Sequence, residues 1–72
     1  MKEKIIKIKE GEMYITLNVL LKISGIISTG GQAKYYLQEN EVLVNGELES
    51  RRGRKLYPND EIIVEGQKFI IK

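Results

Sequence analysis

Cysteine and histidine are both absent from this chain of 72 residues. Without cysteine, no disulfide can staple the fold and no thiolate can hold a metal. Without histidine, the commonest metal ligand and general base is missing. Any enzymatic chemistry would rest on carboxylates, lysines or tyrosines alone. Because acid–base catalysis falls to histidine most often, the expectation is a binding protein, not an enzyme, with no cofactor. Long hydrophobic runs are lacking too. The N-terminal stretch from Lys4 to Lys9 interrupts its isoleucines with lysines, and nothing reaches the length of a signal peptide or a membrane span. A cytoplasmic protein with no membrane partner is expected. Aromatic residues are scarce, four tyrosines and one phenylalanine, with no run of them on one strand. A base-stacking platform for single strands is therefore poorly supported.

At this length the chain is one domain over residues 1–72, expected to be a monomer, with a core typically worth roughly 3–5 kcal/mol. The net charge is only +2, but the charges are segregated. Between Ser50 and Asn59 stand Arg51, Arg52, Arg54 and Lys55 with no anion among them. The acids gather at Glu39, Glu41, Glu47 and Glu49, and again at Asp60, Glu61 and Glu65. A phosphate field responds to local patches more than to the sum.

The pattern predicts two short helices packed on a small antiparallel β-sheet, an α+β domain. Lys4–Lys9 reads as an edge strand with Ile6 and Ile8 on one face. Thr16 caps a helix whose Leu17, Leu20 and Leu21 recur at helical spacing, and Gly25 ends it. Ile26 and Ile27 form an apolar link beneath the helices. Thr29 and Gln32 match a capping box, followed by Ala33, Tyr36 and Leu37 on the buried face and Asn40 as a left-handed terminator. Val42-Leu43-Val44 then runs into Asn45-Gly46, a strong hairpin signal, and Glu47-Leu48-Glu49 leaves it. The two glutamates are expected on the strand's solvated face. Pro58-Asn59 marks a second turn, and Ile62–Val64, Gly66 and Phe69–Ile71 a final hairpin.

Three features carry chemistry, and each has a plainer alternative. Gly30 and Gly31 leave the backbone amides of a helix N-terminus unshielded, as a phosphate would need. They would equally serve a tight turn between helices. Lys34, one turn later, favours the anion. Arg51, Arg52, Arg54 and Lys55 surround Gly53 in a loop without a compensating acid. Arginine's planar fork suits bidentate phosphate contact, whereas the alternatives are a solvated loop or a nuclear address. Tyr35 is either a stacking contact or a boundary tyrosine, and Tyr36 reads as core.

The run from about Thr16 to Val64 resembles the S-four RNA-binding domain, also called the alpha-L RNA-binding motif. The resemblance rests on the leucine-bearing first helix, the capped second helix with Ala33, the Val42-Leu43-Val44-Asn45-Gly46 strand and turn, and Pro58-Asn59-Asp60-Glu61-Ile62. With Gly30-Gly31-Gln32-Ala33-Lys34 and Arg51–Leu56 included, the whole chain is similar to the small free-standing bacterial members called YaaA-like. The resemblance implies that two helices and a nearby hairpin present a basic surface to folded RNA. Carried over by position, it places Thr29, Gly30, Gly31, Gln32 and Lys34 at that RNA, with Arg51, Arg52, Arg54 and Lys55. Beside these, Tyr35 is a candidate stacking contact and Lys22 an outlying candidate contact. Two departures stand out. Gly30 replaces an arginine common just after the N-cap, and Asn59 replaces the usual turn glycine. The expected partner is structured RNA, ribosomal or tRNA-like, with a ribosomal or translation-related protein beside it. The rival readings are a module for an acidic protein partner and an accessory domain of an RNA-modifying or translation complex.

Overall fold

In a computed structural model, which describes residues 3–72, the buried side chains of the strands fall two apart: Val42 and Val44, Ile62 and Val64, Phe69 and Ile71. Alternate residues of a strand share a face, so these strands line up one apolar surface. Cross-strand pairing sets Val42 opposite Val64, Val44 opposite Ile62, and Ile62 opposite Phe69. Leu17, Leu20, Leu21, Ala33 and Leu37 cover that surface from the helices, joined by Ile15 and Leu56 from a short two-stranded ribbon and by Ile27 from the link between the helices. Leu17, Leu20 and Leu21 are fully enclosed, and each contributes on the order of 2 kcal/mol of burial.

The elements run β1 (Glu3–Ile6), β2 (Ile15–Thr16), α1 (Leu17–Ile23), α2 (Gly30–Glu39), β3 (Val42–Val44), β4 (Glu47–Leu48), β5 (Lys55–Leu56), β6 (Glu61–Val64) and β7 (Gln67–Ile71). Five strands form one sheet in the order β1-β7-β6-β3-β4, and β2 pairs with β5 in a separate two-stranded ribbon. The α+β class stands, but the sheet is mixed and not antiparallel throughout, because β1 lies parallel to β7. No hairpin dictates the direction of β1. The whole intervening domain is its crossover, and Ile6 and Ile8 reach the core's edge from that outer position.

The turns carry the positive dihedrals that their residues allow. Asn45 and Gly46 have φ of 52° and 86°, and Glu65 and Gly66 have 51° and 72°. Both pairs suit the mirror-image turns that join twisted strands. Asn59, at φ 78°, stands where a type II turn needs a left-handed residue, so asparagine tolerates the place of the expected glycine. Asn40 departs from expectation. It is extended, at φ −130° and ψ 144°, and ends α2 through its own amide, whose Nδ2 donates to the Tyr36 carbonyl at 3.1 Å. The chain needs no left-handed residue there because it passes directly into β3.

Candidate nucleic-acid interface

Glu49 lies just past β4 with its side chain only 8% exposed. Its Oε2 accepts from Ser50 N, Arg51 N and Arg51 Nε at 3.1–3.2 Å, and its Oε1 from Arg51 Nη2 at 3.2 Å and Arg54 Nη1 at 2.7 Å. The expectation of a loop without a compensating acid, and of Glu49 on a solvated strand face, is therefore corrected. The strand stops at Leu48, which frees Glu49 to turn inward, and five donors supply what burial removes. The hydrogen bond from Arg51 is the main cause that pulls the Glu49 carboxyl from 4.5 to about 2, against the opposing effect of burial; Arg54 adds to it. Glu47 is exposed, as expected.

The loop is anchored a second time, by its backbone. Thr16 caps α1, its Oγ1 accepting from Val19 N at 3.3 Å, and pairs across the ribbon with Lys55. Beyond it, Leu17 N donates to the Arg54 carbonyl and Asn18 N to the Arg52 carbonyl, both at 2.9 Å. Helix N-termini leave amides without internal partners, and here the basic loop takes up those of α1. Arg51, Arg54 and Lys55 line an open concavity of about 630 Å³ with Gly53, Tyr57 and Asp60. The Asp60 carboxylate is already engaged by Tyr57 N at 2.8 Å and Asn45 Nδ2 at 3.1 Å. Lys55 Nζ lies 5.0 Å over the Tyr14 ring, close enough for a cation–π attraction.

The start of α2 is built differently. Gln32 Oε1 accepts from Ser28 N at 2.6 Å and Thr29 N at 3.3 Å, closing the capping box. The next two amides, of Gly30 and Gly31, find no acceptor among the described residues. No acid occupies the first turn of α2 to complement its dipole. Neither glycine has a positive φ, so a left-handed backbone is not what requires them. A Cβ on Gly30 would come within 3.2 Å of Asn18 Nδ2, whereas one on Gly31 would meet only Thr29 Oγ1 at 4.0 Å. Gly30 admits the close approach of α1. Gly31 has open space before it.

Asn18 thus touches both regions: its backbone holds the Arg52 carbonyl and its side chain rests on Gly30. Its Oδ1 is buried without a hydrogen-bond partner among the described residues. Sequence reasoning missed Asn18 and Glu49. The available signals were a polar residue beside the leucine stripe of α1 and an acid two positions before the arginine cluster. Of the expected residues, Lys34 and Tyr35 are exposed on α2, Tyr35 by 67%. Tyr36 is half-buried, and its hydroxyl donates to Glu65 at 2.8 Å. Burial and that carboxylate push its pKa up. Lys22 stands apart, sharing a separate groove with Lys7 and Lys9.

Two comparisons bear on the arrangement. A family profile described as "S4 domain" matches residues 6–72. A protein of Bacillus subtilis (strain 168) named "Probable ribosome maturation protein RlbA" is 54% identical over 52 residues, which cover 72% of this chain and 73% of that protein.

Proposed function

The chain belongs to the S4 domain family, and from that premise we propose that it is a free-standing RNA-binding domain that docks on the phosphates of folded ribosomal RNA. The single observation that carries the reading is the bridge made by Asn18, which sets the open amides of Gly30 and Gly31 beside a basic loop of fixed geometry. One phosphate meets those two amides, the Asn18 Nδ2 donor and the positive end of the α2 dipole. Thr29 and Gln32 hold the helix start in shape, and Lys34 and Tyr35 flank it. Arg52 and Lys55, which make no ion pair among the described residues, supply unspent charge to neighbouring phosphates. Arg51 and Arg54 contribute the N–H groups that Glu49 leaves free.

Recognition is by shape. The narrow major groove of an A-form helix hides base edges from side chains, while phosphates and 2′-hydroxyls remain accessible. The role is binding and not catalysis, carried out by a monomer in the cytoplasm. Support for a ribosomal target comes from the B. subtilis relative, whose name assigns it to ribosome maturation. Ultraviolet crosslinking in cells followed by sequencing of the attached RNA tests the reading. Ribosomal RNA enriched well above an untagged control is the expected result, and background recovery would overturn it.

A further inference from the structure

We propose that the outer face of α1 is a docking groove for a protein segment that carries apolar and acidic side chains. Val19 and Ile23 sit one turn apart on α1, away from the buried stripe of Leu17, Leu20 and Leu21. They are 38% and 59% exposed, and Met13 beside them is 77% exposed. Solvent-facing positions of a seven-residue helix favour alanine or long polar side chains, since β-branched residues lose rotamer freedom there. Two of them facing water on so short a helix neither help the helix nor serve the core.

The surroundings make a groove of this face. Val19 and Ile23 with Ile15 form the floor of a concavity of about 410 Å³, and Lys7, Lys9 and Lys22 stand around it. A second concavity of about 310 Å³, lined by Met13 and Tyr14, continues it through the shared Ile15 and Val19. Glu12 lines both, and no other acid among the described residues lines either. The three lysines make no ion pair among the described residues. The larger concavity thus sets three lysines against one glutamate around an apolar floor, a net positive rim that is complementary to apolar side chains flanked by carboxylates.

Other occupants fit less well. RNA would satisfy the lysines but leave Met13, Val19 and Ile23 without apolar partners. Tyr14, the one aromatic here, already packs on Tyr57 at 5.8 Å and holds Lys55 over its ring. A second copy docking face to face would set the lysine rim against itself, because a two-fold interface uses the same patch twice. The Tyr14–Lys55 contact also places the groove next to the basic loop, so a protein segment held here would lie beside RNA held there.

The test uses the full chain, labelled with nitrogen-15, and a synthetic helical peptide of about twelve residues with leucines at i, i+3, i+4 and i+7 and glutamates between them. One control peptide carries lysine for glutamate, and another serine for leucine. The acidic amphipathic peptide is expected to shift the amides of Met13, Val19, Lys22 and Ile23 saturably, and the controls are not. Val19→Ser with Ile23→Ser should weaken that binding about tenfold, the cost of losing roughly two buried methyl-bearing contacts. Should that variant fail to melt like the parent, Lys7→Gln with Lys9→Gln and Lys22→Gln replaces it; this variant should abolish the salt dependence of peptide binding. Equal response to all three peptides, or no response, overturns the proposal. So do groove shifts that follow protein concentration alone, which would mark a second copy, or groove shifts caused by an RNA hairpin. Loss of RNA binding with an intact peptide response would overturn the RNA reading and leave this one standing.

Discussion

Both helices open on a threonine, yet their first amides meet different fates. Leu17 and Asn18 at the head of α1 donate to the Arg54 and Arg52 carbonyls at 2.9 Å. Gly30 and Gly31 at the head of α2 donate to nothing among the described residues. A helix N-terminus is thus an anion site only where the rest of the chain has left its amides free. In this domain the loop that closes the first helix is the same basic loop that stands near the open second one. The closed end gives the loop a fixed shape, and the open end receives what the loop attracts.

The largest expected effect falls on the closed end. Glu49→Gln removes the charge that holds Arg51 and Arg54 and should cost roughly 2 kcal/mol, less than for a fully buried pair because the arginines retain contact with water. In a domain of this size that is a large share of the total, and a denaturant melt reads it directly. The sign with pH follows from the lowered carboxyl. Glu49 contributes its full stability above pH 4.5 and loses it as pH falls toward about 2. The parent should therefore weaken across that window by more than Glu49→Gln does. Parallel acid limbs in the two proteins would break the comparison at its closed side.

Next in size is the charge that the closed end leaves unspent. Arg52→Ala keeps the carbonyl that Asn18 N needs, so stability should hold within about 0.5 kcal/mol. Affinity for an RNA hairpin should nevertheless drop about tenfold in moderate salt, with the salt slope shallower by about one unit. An unchanged slope would place the RNA elsewhere. Thr16→Ala sharpens the contrast from the other direction. Loss of this cap should cost about 1 kcal/mol and leave the salt slope untouched, since the end it caps faces the loop and not the RNA.

The smallest expected stability change is at Gly31. Alanine meets open space there and should stabilise α2 by about 0.5–1 kcal/mol while obstructing a phosphate at the amides. Gly30→Ala is the useful contrast, because its methyl would press on Asn18 Nδ2 and should disturb the junction of the two helices as well as binding.

How much of this was legible in the sequence follows the range of each interaction. Thr16, the Thr29–Gln32 box and the Asn45–Gly46 turn act within four residues, and reading along the chain finds them. Asn40 misleads because its side chain supplies the helix stop that a left-handed backbone would otherwise give. Glu49 reaches no further along the chain than Arg54, but an alternating strand pattern would have left it on the solvated face, and only the end of β4 at Leu48 turns it inward. Asn18 meets Gly30 and Arg52, both more than ten residues further along the chain. The parallel pairing of β1 joins the two ends of the described chain, and no local pattern sets its direction. For the site, the basic loop and glycine pair were legible as residues, but their junction at Asn18 was not.

What sets the two helix starts apart is whether their backbone amides are free to bind RNA. One titration of the nitrogen-15-labelled protein with an RNA hairpin, followed at the amides of Leu17, Asn18, Gly30 and Gly31, tests it most directly. Large, saturable shifts are expected at Gly30 and Gly31, where N–H groups gain a phosphate acceptor, and small ones at Leu17 and Asn18, whose acceptors are already in place. Equal movement at all four, or movement confined to Leu17 and Asn18, would contradict it.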